Sequence, residues 1–129
     1  MRTLLTSLAF ATLATGCSCG AFAGGGDTVL SRNADSLVLC ENGGFVANLS
    51  TGVVEGRYTE ATDGSGGGTA VRGDTGQVAF VLTENTDGTA STTLIGDQPW
   101  THMSLNKVEL DHADVQCTDL QNRPWWGAQ

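Results

Sequence analysis

Residues 36–50 read SLVLCENGGFVANLS, two apolar runs separated by the dipeptide Asn42-Gly43. Asn and Gly tolerate the positive φ angles of a tight turn, so this dipeptide favours a reversal of the chain. Asp87-Gly88 repeats the same turn chemistry further along the sequence. Each dipeptide therefore predicts an antiparallel hairpin.

Short apolar runs punctuated by glycine and polar turn residues continue on both sides of this hairpin. Val78, Phe80 and Leu82 fall on one face of their run, and Ala79 and Val81 fall on the other, which is the alternation of a strand. The predicted strands span residues 28–32, 36–41, 45–50, 53–60, 69–72, 77–84, 89–95 and 100–110, and a ninth candidate spans 113–120.

The connections between these predicted strands are short, from two to eight residues. Consecutive hairpins joined in this way favour an up-and-down arrangement. We therefore expect an all-β fold, either a small antiparallel barrel or a sandwich of about eight strands. Residues 104–115 are ambiguous enough to hold a helical turn.

The amino terminus has the three parts of an export signal. Arg2 supplies a basic start, residues 4–13 are apolar, and Ala21-Phe22-Ala23 is a pattern that signal peptidase cleaves. Cleavage after Ala23 gives a signal peptide of residues 1–23 and one exported domain of residues 24–129. The apolar run is shorter than the roughly 20 residues of a spanning helix, which argues against a retained anchor.

The same segment supports a second interpretation, in which a lipoprotein signal ends at residue 16. Residues 13–17, LATGC, resemble a bacterial lipobox that makes Cys17 the lipidated first residue. Acyl chains then hold the protein at a membrane surface, at about 0.8 kcal/mol for each buried methylene. Cleavage after Ala23 removes Cys17 and Cys19 together, whereas lipidation leaves Cys19 unpaired. The long polar region before Ala23 favours lipidation, and both interpretations stay open.

Cys40 and Cys117 are the pair that remains after cleavage at Ala23, and we expect a disulfide between them. Val38 and Cys40 share one strand face, as do Val115 and Cys117 in the ninth candidate strand, so both sulfurs are expected to point inward. In the chain-entropy model this long loop contributes roughly 4 kcal/mol of stability. The C-x-x-C spacing of a redox-active pair is absent, so the bridge is interpreted as structural.

The charge of the exported domain is strongly negative. Without Arg2 it has five basic residues against fourteen acidic ones, a net charge of −9 with histidine neutral. Such a surface repels phosphate backbones and anionic headgroups. We therefore expect no nucleic-acid partner, and membrane contact only if Cys17 is lipidated.

No pattern of catalytic residues stands out. The G-x-S-x-G elbow and the G-x-x-x-x-G-K-[ST] phosphate loop are both absent. A small hydrolase could use His102 or His112 as its base, and this stays an alternative. Asp111, His112, Asp114 and Asp119 could offer ligands to calcium, but such residues more often cap their own backbone. We expect no catalytic residue, metal site or cofactor.

Aromatic residues give the clearest candidates for binding. Trp125 and Trp126 follow Pro124 at the carboxyl terminus, and Tyr58 is the third candidate. A tryptophan pair can stack on sugar rings or fill a partner's pocket, because each ring joins a flat apolar face to one donor. The pair can also fold back and plug one end of a barrel. Trp100 is expected to be a core residue.

These patterns favour a non-catalytic exported β domain that binds a protein or a cell-surface glycan, in the periplasm or outside the cell. The leading alternative is a structural envelope lipoprotein without a soluble ligand. The other alternative is the small hydrolase. We interpret the tripeptide Arg72-Gly73-Asp74 as part of a hairpin turn.

Overall fold

The computed structural model describes residues 27–94 and 98–127. The predicted export signal, Cys17 and Cys19 lie outside the described residues. The strands are β1 (Thr28–Arg32), β2 (Asp35–Leu39), β3 (Gly44–Leu49), β4 (Gly52–Glu60), β5 (Gly68–Arg72), β6 (Val78–Glu84), β7 (Ala90–Thr92) and β8 (Thr101–His102). A helix, α1 (Lys107–Asp119), and a 3-10 turn (Leu120–Asn122) follow them.

The eight strands form one antiparallel sheet in the order β7-β6-β5-β4-β3-β2-β1-β8. A bridge between Ala90 and Trp100 brings the two ends of the sheet together, with backbone N–H···O distances of 2.9 and 2.7 Å. The sheet is therefore a nearly closed barrel. The prediction of an all-β, antiparallel fold of about eight strands is confirmed.

The glycines of both predicted hairpin turns have the positive φ angles that such turns require. Gly43 has a φ of 91° and Gly88 a φ of 88°, angles that glycine adopts without steric cost. The Cys40 amide donates to the Gly44 carbonyl at 2.8 Å and closes the turn between β2 and β3. Asn33, in the two-residue turn between β1 and β2, also has a positive φ, of 55°.

The barrel interior is filled by aliphatic and aromatic side chains. Phe45 and Phe80 meet edge to face, with ring centroids 5.2 Å apart. Trp100 is fully buried, as expected for a core residue, and its indole N–H donates to Thr92 Oγ1 at 3.1 Å. The guanidinium of Arg32 lies 4.4 Å from the centroid of the Trp100 ring. The interior is thus packed and has the edge-to-face geometry that aromatic pairs prefer.

The carboxyl-terminal quarter differs from the prediction. The eighth strand ends at His102, and the predicted ninth strand is wrong because those residues belong to α1. A capping box begins the helix. Asn106 Oδ1 accepts from the backbone N–H of Glu109 at 2.9 Å, and Glu109 Oε1 accepts from the backbone N–H of Asn106 at 3.1 Å. Lys107 and Asp111, one turn apart, form an ion pair of 2.9 Å.

Helix α1 covers the outer face of the sheet. Ala113, Cys117 and Leu120, spaced four and three residues apart, form one helical stripe. They pack on a cluster from β1, β2 and β3 that comprises Val29, Val38 and Val46. Two layers therefore share these strands: the barrel interior on one side and the helix on the other.

The predicted disulfide is confirmed. Cys40 and Cys117 are joined by an S–S bond of 2.02 Å, with their Cα atoms 5.6 Å apart. The bond lies between the sheet and α1 and not in the barrel interior, contrary to expectation. Val115 does not share the face of Cys117, because side chains two positions apart on a helix point in nearly opposite directions. The Val115 side chain is 57% exposed. A disulfide is compatible with an exported location in an oxidising compartment.

Candidate binding site

The chain turns back onto the sheet directly after α1. A 3-10 turn ends in Arg123, which is extended, and the Trp126 amide then donates to the Arg123 carbonyl at 3.1 Å. This path lays Trp125 and Trp126 beside the outer cluster, each half-buried, with ring centroids 5.9 Å apart. The tryptophans therefore pack outside the sheet and do not plug a barrel end.

Trp126 is the anchored member of the pair. The guanidinium of Arg57 lies 3.9 Å from the centroid of its ring, and Arg57 Nη2 donates to its backbone carbonyl. Gly44, which pairs with Arg57 across β3 and β4, also leaves room for the ring, since a Cβ there would lie 3.2 Å from Trp126 Cζ3. A cation over an indole face is an attractive contact. Arg57 thus secures the end of the chain.

Two open grooves lie beside Trp125. Trp125 and Arg72 line both of them. The first groove has a volume of about 500 Å³ and is also lined by Glu55, Asp74, Gln116, Asp119 and Arg123. The second groove has a volume of about 410 Å³ and is also lined by Arg57, Thr59, Val71, Gly73 and Gly76.

Ion pairs hold the arginines of the first groove in place. Arg123 binds both carboxylate oxygens of Glu55, through Nε to Oε1 and through Nη2 to Oε2 at 3.2 Å. Arg72 binds Asp74 through Nε and Nη2, each at 3.2 Å. The hydrogen bonds from Arg72 lower the pKa of Asp74 below its ordinary value. The charged ends of the Arg72-Gly73-Asp74 tripeptide are therefore bound to each other.

The positive charge of this acidic protein is concentrated beside the tryptophans. Arg57, Arg72 and Arg123 are three of the six lysines and arginines in the whole chain. Of the other described ones, Arg32 is buried over Trp100, and Lys107 pairs with Asp111 on α1. Among the described residues that line the second groove there are two arginines and no carboxylate. Because Asp74 balances the charge of Arg72, the net positive charge of this groove comes from Arg57, on a protein of net charge −8.

Tyr58 lies apart from the tryptophans. It faces the barrel interior, is 9% exposed, and stacks on Phe80 with ring centroids 6.4 Å apart. Burial, together with the charges of Glu60 and Glu84, raises the pKa of the Tyr58 hydroxyl. Of the three candidate binding residues, the structure therefore brings together only Trp125 and Trp126.

The two histidines lie on different elements. His102 is on β8, with Nε2 3.4 Å from Glu84 Oε2. His112 is on α1 and lines a more apolar groove of about 480 Å³ between the helix and the sheet. Neither residue lines a groove beside Trp125.

The acidic residues of α1 do not form a cluster of metal ligands. Within residues 27–94 and 98–127, the group with ligand atoms close enough to hold a metal ion is Asp27, Cys40 and Cys117. Both of its sulfurs belong to the disulfide. Asp111 pairs with Lys107.

Sequence reasoning missed the arginines. Strand alternation places Glu55 and Arg57 on the face of β4 opposite Tyr58, and this signal was present in the sequence. The position of Arg72 beside them depends on the pairing of β4 with β5, where Arg57 lies opposite Val71. That register is a tertiary property.

Comparisons of the chain with protein-family models, with curated proteins and with solved structures each find no match. In the part of the chain that the structure describes, no helix has the length and apolar character needed to cross a membrane.

Proposed function

We propose that this chain is an exported, non-catalytic domain that binds a glycan through Trp125 and the two grooves beside it. One observation carries the proposal: a half-buried indole lines two grooves whose other lining residues include both apolar and hydrogen-bonding side chains. The grooves provide the apolar surface and the polar edge that a sugar ring requires.

The chemistry of a sugar ring matches this arrangement. One face of the ring carries C–H groups and stacks on an indole, while its hydroxyls need donors and acceptors at the rim. Arg72, Asp74 and Gln116 supply both kinds of group beside Trp125. Each groove has a volume within the range of about 300 to 1,000 Å³ that is usual for small-ligand sites. An oligosaccharide lying across Trp125 would use both grooves.

A binding function is favoured over hydrolysis by the positions of the histidines. His102 and His112 would have to serve as bases, and they lie on separate elements outside the two grooves. The hydrolase alternative, which uses one of these histidines, therefore has no histidine base at the aromatic site, and a general base must reach the substrate to act.

Export supports a cell-surface or extracellular ligand. We propose cleavage after Ala23 and release to the periplasm or the medium, with lipidation of Cys17 as the alternative. The structural disulfide supports an oxidising compartment in either case. The intact mass of the protein from its own cells distinguishes a chain that starts at Gly24 from one that starts at an acylated Cys17.

The test is binding to a panel of immobilised cell-surface and extracellular glycans. Trp125→Ala should weaken binding about fivefold or more, taking the about 1 to 3 kcal/mol that a nucleic-acid base gains by stacking on an aromatic ring as the guide for a sugar ring. Val108→Ala, which shortens a 77% exposed side chain on α1, is the control and should bind like the parent.

Circular dichroism must show both variants folded. Equal binding by parent and Trp125→Ala contradicts the proposal, as does the absence of binding to every glycan. Capture of one defined protein, lost in Trp125→Ala, would assign the same surface to a protein ligand instead.

A further inference from the structure

We infer that the second groove binds a sugar that carries a carboxylate, a uronic acid, with its ring on Trp125 and its carboxylate on Arg72. The inference rests on the proposed glycan-binding function and names the chemical class of the ligand. It depends on the charge of this groove and on the hydrogen bonds that Arg72 already makes.

The second groove is suited to an anion. Arg57 and Arg72 line it. Asp74 pairs with Arg72 from outside the lining, whereas no ion pair among the described residues involves Arg57, so the charge of Arg57 is uncompensated. By contrast, Glu55, Asp74 and Asp119 line the first groove together with its arginines. A negatively charged ring is therefore favoured in the second groove, and neutral sugar units in the first.

Arg72 has a free edge for a carboxylate. Its Nε and Nη2 atoms donate to Asp74, which occupies the side edge of the guanidinium. The end edge, formed by Nη1 and Nη2, retains donors, since arginine carries five N–H groups in a fixed fork. The side chain is 40% exposed, so a ligand can reach it. Asp74 thus fixes the orientation of the guanidinium and leaves it able to accept a second carboxylate.

Arg57 contributes charge to the site and has fewer free donors than Arg72. Its Nη2 atom donates to the Trp126 carbonyl, its guanidinium lies over the Trp126 ring, and its Nε atom is buried. The positive charge remains beside the groove. Arg72 is therefore the residue that contacts the carboxylate.

The overall acidity of the protein limits the length of the ligand. A protein of net charge −8 repels a long polyanion, while a short oligosaccharide that carries few charges meets mainly the local field of Arg57 and the free donors of Arg72. The expected ligand is a short stretch or a chain end of an acidic glycan.

The test compares trigalacturonic acid with its fully methyl-esterified form, which keeps the rings and removes the charges. Isothermal titration of the protein from its own cells should give about tenfold tighter binding of the acid, in line with a charge-assisted hydrogen bond. This preference should shrink in high salt. Arg72→Gln should abolish the preference, whereas Lys107→Gln, which removes a charge on α1, should retain it.

Each other outcome overturns the inference. Equal binding of the acid and the ester leaves the glycan function standing and removes the carboxylate specificity. Displacement of the acid by an equal concentration of inorganic phosphate would make the groove a plain anion site. Failure of both trisaccharides to bind overturns the inference as tested with galacturonic acid, and the glycan panel with Trp125→Ala then decides the proposed function separately.

Discussion

The indole of Trp125 lies against Gly73 so closely that no side chain fits between them. A Cβ placed on Gly73 would fall 2.5 Å from Trp125 Cε3 and nearer still to two other ring atoms. Glycine is the residue that permits such an approach, because it has no Cβ. Gly73 therefore determines where the indole lies, and with it a surface that both grooves share.

Gly73→Ala is expected to displace Trp125. The added methyl group overlaps the ring, and overpacking of this kind costs about 1 to 3 kcal/mol of stability. Urea unfolding should give a lower midpoint, the tryptophan emission of the folded protein should change, and glycan binding should fall as in Trp125→Ala.

Gly127→Ala is the matched control. A Cβ at Gly127 meets no described atom within 4 Å, so the same chemical change should leave the unfolding midpoint and the emission unchanged. An unchanged emission spectrum in Gly73→Ala would contradict the packing of Trp125 on this glycine.

The strands were predictable because their signals are local. Alternation and turn residues located β1 at its observed bounds and β6 to within one residue. Closure of the barrel was expected only in general terms. The bridge of Ala90 to Trp100 is a tertiary contact, and no local pattern specifies which residues close a sheet.

A helical turn was allowed for within residues 104–115, but the full helix was missed because its apolar residues mimic a strand. Val108 and Leu110 alternate with polar neighbours, yet they are 77% and 46% exposed. The face that packs on the sheet carries the small residues Ala113 and Cys117 and so gives little amphipathic signal. The local signal that identifies the helix is the capping box that starts at Asn106.

The tryptophans of the candidate site were predictable from the sequence, and the arginines beside them were not. Trp125 and Trp126 stand out by composition alone. The arginines beside them come from β4, β5 and the end of the chain, and only the sheet register and the turn after α1 bring them together. Tyr58 was a candidate by residue type, but its strand parity directs it into the interior.

The capping box allows a test of the helix assignment. Asn106→Ala removes the acceptor of the Glu109 amide and should cost about 1 kcal/mol, as is usual for the loss of an N-cap. Asn106→Asp keeps an acceptor at the same atom and should lie close to the parent. Urea unfolding measures both.

A strand in this region would respond differently. Asn106 would then cap nothing, so Asn106→Ala and Asn106→Asp should have equal stability. Equal midpoints for the two variants would therefore contradict the helix.

Asp27 lies beside the disulfide, and its ionisation works against folding. Burial raises its pKa above the ordinary value of 3.8, and the charges of Asp114 and Glu41 act in the same direction. A carboxyl group with a raised pKa binds protons more tightly in the folded state than in the unfolded one, so stability falls as pH rises through the interval between the two pKa values.

Asp27→Asn should therefore be more stable than the parent at neutral pH. The amide keeps an oxygen that can accept from the Glu41 amide, which now donates to Asp27 Oδ1 at 2.8 Å, and it avoids the buried charge. The difference should vanish below pH 3.8, where Asp27 is protonated in both states. Thermal unfolding across this pH range measures it.

Asp63 provides a control of opposite sign. Hydrogen bonds from Ser65 lower its pKa, so its ionised form stabilises the fold above the ordinary value of 3.8, and this contribution is lost as pH falls. Asp63→Asn should thus be less stable than the parent at neutral pH and equal to it in acid. If Asp27→Asn is also less stable than the parent at neutral pH, the ionised carboxylate of Asp27 stabilises the fold. That result would contradict a raised pKa for Asp27.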